Sequence, residues 1–139
     1  MVSKLKLDNN VFFLGYIDEE KKNDLYNACD IYIMNSHKTN HEGDSEGFGI
    51  TFLESNACGK PIIGTKSGGI PDAIQHRENG LLIEPNQPSE TAEAIIELFN
   101  NKELYNQLSN NGLKRIKENF SIDKIGRKYM EIISNHYNY

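Results

Sequence analysis

Short apolar runs alternating with longer amphipathic stretches predict an α/β fold, a Rossmann-like parallel sheet of about four strands flanked by helices. Three observations carry this. The apolar runs are too short for helices, they are rich in β-branched and aromatic residues, and each is closed by Gly, Ser or Pro. In order they are Val11-Phe12-Phe13-Leu14 before Gly15, Ile31-Tyr32-Ile33-Met34 before Asn35-Ser36, Pro61-Ile62-Ile63-Gly64, and Gly80-Leu81-Leu82-Ile83.

Helical patterns fill the intervals. Asp18–Ala28 begins with an acidic first turn and places Leu25 and Cys29 on one face. Gly49–Ala57 carries Phe52, Leu53 and Ala57. From Ser89, the residues Ala92, Ile95, Ile96 and Phe99 follow the i, i+3, i+4, i+7 spacing of one apolar stripe. Leu104 and Leu108 repeat it in the next helix. Ser121 is an N-cap candidate for a last helix with Ile122, Ile125, Tyr129 and Ile132 on one face. Both late stripes are expected to be core.

The 139 residues suit one domain, with no internal repeat and no linker-like stretch. A quarter of the residues are charged and the formal net charge is -5, which argues against a nucleic-acid binder or a polybasic lipid-docking surface. No apolar run reaches membrane-span length, and residues 1–10 lack the apolar centre of a signal peptide, so a cytoplasmic protein is expected. Cys29 and Cys58 have no metal-type spacing and are expected to be buried, reduced thiols within helices.

Open parallel sheets bind ligands at the carboxyl ends of their strands. There the sequence is unusual. The second strand leads through Ser36-His37-Lys38-Thr39-Asn40-His41-Glu42-Gly43-Asp44-Ser45 to Glu46-Gly47-Phe48-Gly49, and then to a helix holding Glu54. The third strand leads to Ser67-Gly68-Gly69-Ile70-Pro71-Asp72, where Pro71 suits the first turn of a short helix. Gly47 and Gly49 let backbone approach a ligand, and the N–H groups of the following helix suit a phosphate or diphosphate. Glu46 and Glu54 flank that turn, and carboxylates accept hydrogen bonds from vicinal hydroxyls. Such a site suits a sugar–diphosphate–ribose ligand. The alternative is an ordinary turn with two solvated glutamates.

The spacing and residues of Glu46-Gly-Phe-Gly-Ile-Thr-Phe-Leu-Glu54 resemble the E-x7-E signature of the retaining "group 1" glycosyltransferases, which have the two-domain GT-B fold. Asn10-Val-Phe-Phe-Leu-Gly15, Ala28-Cys-Asp-Ile-Tyr-Ile-Met34, Gly59-Lys-Pro-Ile-Ile-Gly-Thr-Lys-Ser-Gly-Gly-Ile-Pro-Asp72 and Asn79-Gly-Leu-Leu-Ile-Glu-Pro85 follow in the family's order. Gly43-Asp-Ser-Glu-Gly-Phe-Gly49 and Asn56-Ala-Cys-Gly-Lys-Pro61 particularly resemble the branch with lipid-inositol mannosyltransferases and capsule or lipopolysaccharide enzymes.

The resemblance implies a donor half that binds a UDP-, GDP- or ADP-sugar as substrate, with no cofactor and no metal, for transfer to a saccharide or lipid-linked acceptor. Glu46, the catalytic residue of the set, would hold hydroxyls of the transferred sugar. Gly47 and Phe48 would orient that sugar through backbone N–H groups, while Gly49 and Ile50 would contact the diphosphate. Glu54 would accept the ribose hydroxyls, Tyr16 and Ile17 would lie beside the base, and Gly68 and Gly69 would line the cleft. Asn35-Ser36-His37 departs from the family's Pro-Ser.

The resemblance also implies that residues 1–139 are a donor-binding domain incomplete at its N-terminal side, without an acceptor domain or the basic residues that grip the diphosphate. The expected partners are that missing domain or a chain supplying it, or a second copy of this chain. The intact enzyme would work peripherally at a membrane in polysaccharide biosynthesis, and the chain alone would be inactive. Two alternatives stay open: a non-catalytic nucleotide-sugar-binding fragment or subunit, and an epimerase-like protein of the same architecture. A metal held by His37, His41, Glu42, Asp44 and Glu46 is a further rival, disfavoured by the loop-forming Thr39, Asn40 and Gly43. His76 and His136 are read as solvent-facing.

Overall fold

A computed structural model describes residues 1–36 and 46–137. Three strands, β1 (Tyr32–Met34), β2 (Ile62–Thr65) and β3 (Gly80–Ile83), form one parallel sheet in the order β1-β2-β3. Ile33 pairs with Ile63, and Ile63 with Leu81. Among the described residues six α-helices accompany them: α1 (Glu19–Ala28), α2 (Ile50–Ala57), α3 (Ile70–Ala73), α4 (Pro88–Asn100), α5 (Lys102–Arg115) and α6 (Ile122–Tyr137). A π-helical turn, Ile116–Phe120, joins the last two.

The sheet is covered on both faces because its strands carry apolar side chains on both, and successive side chains point to opposite sides. Ile62 packs with Phe52, Ile70, Ala73 and Ile74 from α2, α3 and the residue after it. Its neighbour Ile63 packs with Leu81, Ile83 and, from α4 and α5, Ala94, Leu98, Leu104 and Leu108. The central strand β2 is buried along its length. A pair of buried asparagines ties the layers beneath it. Asn79 Nδ2 donates to Asn56 Oδ1 at 2.9 Å and to Ala73 O at 3.1 Å, and its Oδ1 accepts from Gln75 N–H at 2.7 Å.

Several expectations need correction. The sheet has three strands, not about four, among the described residues. Val11–Leu14 is not one of them: it pairs with no strand, and Phe13 is 85% exposed. A lone extended segment has no ladder to hold it and no layer to bury its side chains. On α1 the buried residue is Tyr26, while Leu25 is exposed. On α4 the inward arc is Ala94, Ile95 and Leu98; Ala92, Ile96 and Phe99 face outward. The α6 stripe is not core, since Ile122, Ile125, Tyr129 and Ile132 are all exposed. Cys29 and Cys58 are free, half-buried, and cap helices from outside instead of lying within them. His76 is exposed, yet its Nδ1 accepts the Leu82 N–H at 3.0 Å. Among the described residues no helix is long and apolar enough to cross a membrane.

Candidate donor site at the strand ends

The chains leaving β1 and β2 meet above the sheet. Thr65 Oγ1, at the end of β2, donates to the backbone carbonyl of Ser36, just beyond β1. After β2 the backbone turns through Ser67-Gly68-Gly69, with Gly68 at φ +55°, and enters α3, where Pro71 lies in the first turn. Ahead of α2 lies Glu46-Gly47-Phe48-Gly49. These two loops touch through their backbones. The Gly69 N–H donates to Glu46 O at 3.0 Å. A Cβ on Gly69 would sit 1.8 Å from Gly47 O, so only glycine fits.

Gly49 caps α2 at φ +82°, a conformation that suits glycine. Phe52 N–H closes the first turn on Gly49 O at 2.9 Å. The N–H groups of Ile50 and Thr51 before it have no intrahelical carbonyl to bond, which leaves positive partial charge at the loop. Glu54 stands one turn further along, on the side facing α1. Its Oε2 accepts from the Tyr26 hydroxyl at 2.8 Å, and Lys22 Nζ lies 3.8 Å from its Oε1. These side chains bound a groove of about 310 Å³ between α1 and α2. Burial, and then the Glu54 carboxylate, push the Tyr26 hydroxyl well above the ordinary tyrosine value, so it remains a proton donor. Lys22 is raised chiefly by its hydrogen bond to Glu19.

The structure therefore gathers Glu46, Gly47, Phe48, Gly49 and Ile50 beside Gly68 and Gly69, with Glu54 behind them on the same helix. Glu46 is half-buried and Ile50 exposed. Tyr16 and Ile17 follow a turn at Gly15, φ +69°, and lead into α1; Tyr16 is 91% exposed. A second hollow of about 150 Å³ lies at the strand ends between Asn35, Ser36, Thr65, Glu84 and Thr91. His37, His41, Glu42 and Asp44 lie outside the described residues, and among the described ones no group of His, Cys, Asp and Glu is arranged to hold a metal.

Sequence reasoning missed three residues that shape this site. Tyr26 reaches Glu54 from a helix whose periodicity had pointed to Leu25. Phe120 packs against Phe48 with ring centroids 5.9 Å apart, and Arg115 stacks 5.2 Å over Phe120. Arg115 Nη2 also donates to Asp72 O at 2.9 Å. The π-helical turn, with the last residue of α5 before it, thus braces the Phe48 loop and α3 together. Its sequence, Ile-Lys-Glu-Asn-Phe, carries no periodic signal that would have shown this.

Known proteins resemble this chain in sequence and fold. The model of the family described as "Glycosyl transferases group 1" matches residues 1–115. N-acetyl-alpha-D-glucosaminyl L-malate synthase of Bacillus anthracis is 33% identical over 132 residues, 95% of this chain and 32% of that protein. O-antigen chain mannosyltransferase C of Escherichia coli is 33% identical over 125 residues, 89% of this chain and 32% of that protein. The crystal structure of HepE from Anabaena in complex with UDP superposes with a TM-score of 0.84 at 27% identity, covering 96% of this chain and 35% of that one. The C-terminal domain of the group 1 protein LpcC from Francisella tularensis gives 0.75 at 32% identity, covering 87% of this chain and 59% of that domain's chain. The chain thus spans about a third of the length of these two curated relatives. Matching over residues 1–115, with a helix-flanked parallel sheet that superposes on a glycosyltransferase fold, this chain belongs to the glycosyl transferases group 1 family.

Proposed function

We propose that the chain is the donor-binding part of a glycosyltransferase and holds a nucleoside-diphosphate sugar for retaining, metal-independent transfer to a saccharide or lipid-linked acceptor. The observation that carries this is the junction of two glycine loops at the N-terminus of α2. Gly69 bonds Glu46 O, with no room for a Cβ, beside helical N–H groups that have no intrahelical acceptor and one turn before a carboxylate. A diphosphate suits the N–H groups of Gly49 and Ile50, because anions are stabilised at a helix N-terminus. Glu46, with the N–H groups of Gly47 and Phe48, takes the transferred sugar, and Gly68 and Gly69 wall that side. Glu54 takes the ribose hydroxyls and the Gly15–Ile17 turn lies beside the base. Structures of HepE with UDP and with UDP-glucose support a uridine nucleotide as the first candidate.

A second reading, donor binding without turnover by this chain alone, is favoured by the apolar surface at Phe12, Phe13 and the α6 stripe. Such a surface is expected where further polypeptide packs. In that reading the acceptor and the phosphate-gripping cations come from another part of the protein or from a partner chain.

The test is thermal unfolding with UDP-, GDP- and ADP-sugars. A ligand at ten times its dissociation constant adds about 1.4 kcal/mol, a rise of roughly 3–6 °C for a domain of this size. One base raising the midpoint, with the rise lost in Glu54→Ala, supports donor binding. No rise with any of the three rejects donor binding by this chain. Incorporation of labelled sugar into an acceptor, with and without a chain supplying the remaining portion, separates the two readings.

A further inference from the structure

We infer that Tyr26 is a positioning residue for ribose recognition, acting through Glu54; this rests on the donor-site reading above. Three observations support it. The Tyr26 hydroxyl donates to Glu54 Oε2 at 2.8 Å, across a sequence separation of 28 residues, so the contact belongs to the fold and not to a local turn. Tyr26 is only 9% exposed, and its ring packs edge-on against Tyr32 at 5.6 Å, which packs edge-on against Phe52 at 5.7 Å. Phe52 is fully buried, and its ring fills the space a Cβ on Gly49 would need, at 2.6 Å.

One aromatic chain, Phe52–Tyr32–Tyr26, therefore fixes two things at once. At one end it sets the glycine cap of α2, where the diphosphate would lie. At the other it pins the carboxylate one turn along the same helix. A glutamate terminal torsion is broad and two-fold, so an unheld Glu54 would turn freely. A carboxylate offers about four acceptor sites. The tyrosine uses one of them on Oε2, and Oε1, with Lys22 Nζ 3.8 Å away, stays available to a vicinal diol. Lys22 bonds Glu19 more closely, at 2.8 Å, so the hydroxyl and not the ammonium sets the carboxylate's orientation.

The probes are UDP, GDP and ADP and the 2′,3′-dideoxy analogue of whichever binds, titrated into the 139-residue chain and its Tyr26→Phe variant. Phenylalanine keeps the ring packing and removes only the hydroxyl. Freeing one side chain that must then be ordered on binding weakens affinity by roughly 2- to 12-fold. The expected result is a loss of that size for the ribose nucleotide and none for the dideoxy analogue. In a Glu54→Gln background, Tyr26→Phe should add nothing further. Equal weakening of both nucleotides, or no change in either with an intact thermal midpoint, overturns the inference and leaves donor binding standing. Binding of none of the three diphosphates to the unaltered chain overturns the donor-site reading and this inference with it.

Discussion

Adding a single methyl group at Gly69 should damage this protein far more than adding one at Gly47, although both glycines lie in the same loop contact. At Gly69 the added Cβ would lie 1.8 Å from Gly47 O and 2.9 Å from the Gly47 carbonyl carbon. Those are backbone atoms, so no side-chain rotation relieves the clash, and the loops must separate. Overpacking of this kind costs about 1–3 kcal/mol. Separation also breaks the 3.0 Å bond from Gly69 N–H to Glu46 O, worth about 0.5–1.5 kcal/mol. Together Gly69→Ala should cost about 2–4 kcal/mol, lowering the thermal midpoint by roughly 4–17 °C. At Gly47 an added Cβ meets nothing within 4 Å among the described residues, so Gly47→Ala should stay within about 0.5 kcal/mol of the parent. Thermal unfolding of both variants, followed by circular dichroism, compares them directly. If Gly69→Ala melts with Gly47→Ala, the two loops are not held together as described.

Two further outcomes follow from the same structure. Asn79→Leu strands Asn56 Oδ1, Ala73 O and the Gln75 N–H in the interior, and urea unfolding should show a loss of about 3 kcal/mol or more; a loss under about 1 kcal/mol would refute the buried amide pair as a stabilising tie. Partial desolvation of the largely exposed ring first, then Arg77 and Lys66, hold the His76 imidazole below its ordinary value against an opposing Glu97, and protonation would also take Nδ1 from the Leu82 N–H. A depressed folded value means that the stabilisation is complete above the unfolded pKa, near 6.5, and is lost as pH falls through the folded one. Between pH 7 and pH 5 the parent should therefore lose more stability than His76→Gln; parallel thermal midpoints across that range would show that His76 contributes nothing.

What the sequence made legible was set by local chemistry. Ile62-Ile63 and Gly80–Ile83 read as buried strands because each is apolar on both faces, and both lie in the sheet as expected. Leu104 and Leu108 read as a core stripe and are buried. The glycine loops were visible because their residue types are unusual, and the structure shows why Gly69 is required. What stayed hidden depends on partners far along the chain. Val11–Leu14 has strand composition, but composition does not supply a neighbour, and a strand forms only when one is present. The choice between Leu25 and Tyr26 as the inward residue of α1 turns on Glu54, which no periodicity on α1 reveals. On α4, neighbouring apolar arcs compete, and the sheet selects the one containing Ala94 and Leu98. The α6 stripe is as regular as any in the chain, yet regularity shows only that a face is apolar, not what covers it.

The most direct test of the account is a backbone amide map of the isotopically labelled chain titrated with UDP-glucose. The donor-site account expects saturable shifts concentrated at Gly47, Phe48, Gly49, Ile50, Gly68 and Gly69, with smaller ones at Glu54 and Tyr26. Saturable shifts centred elsewhere, for example around Gln75, Asn111 and Lys114 in the groove along α5, would contradict it, as would a spectrum left unchanged by UDP-glucose and by its GDP and ADP counterparts.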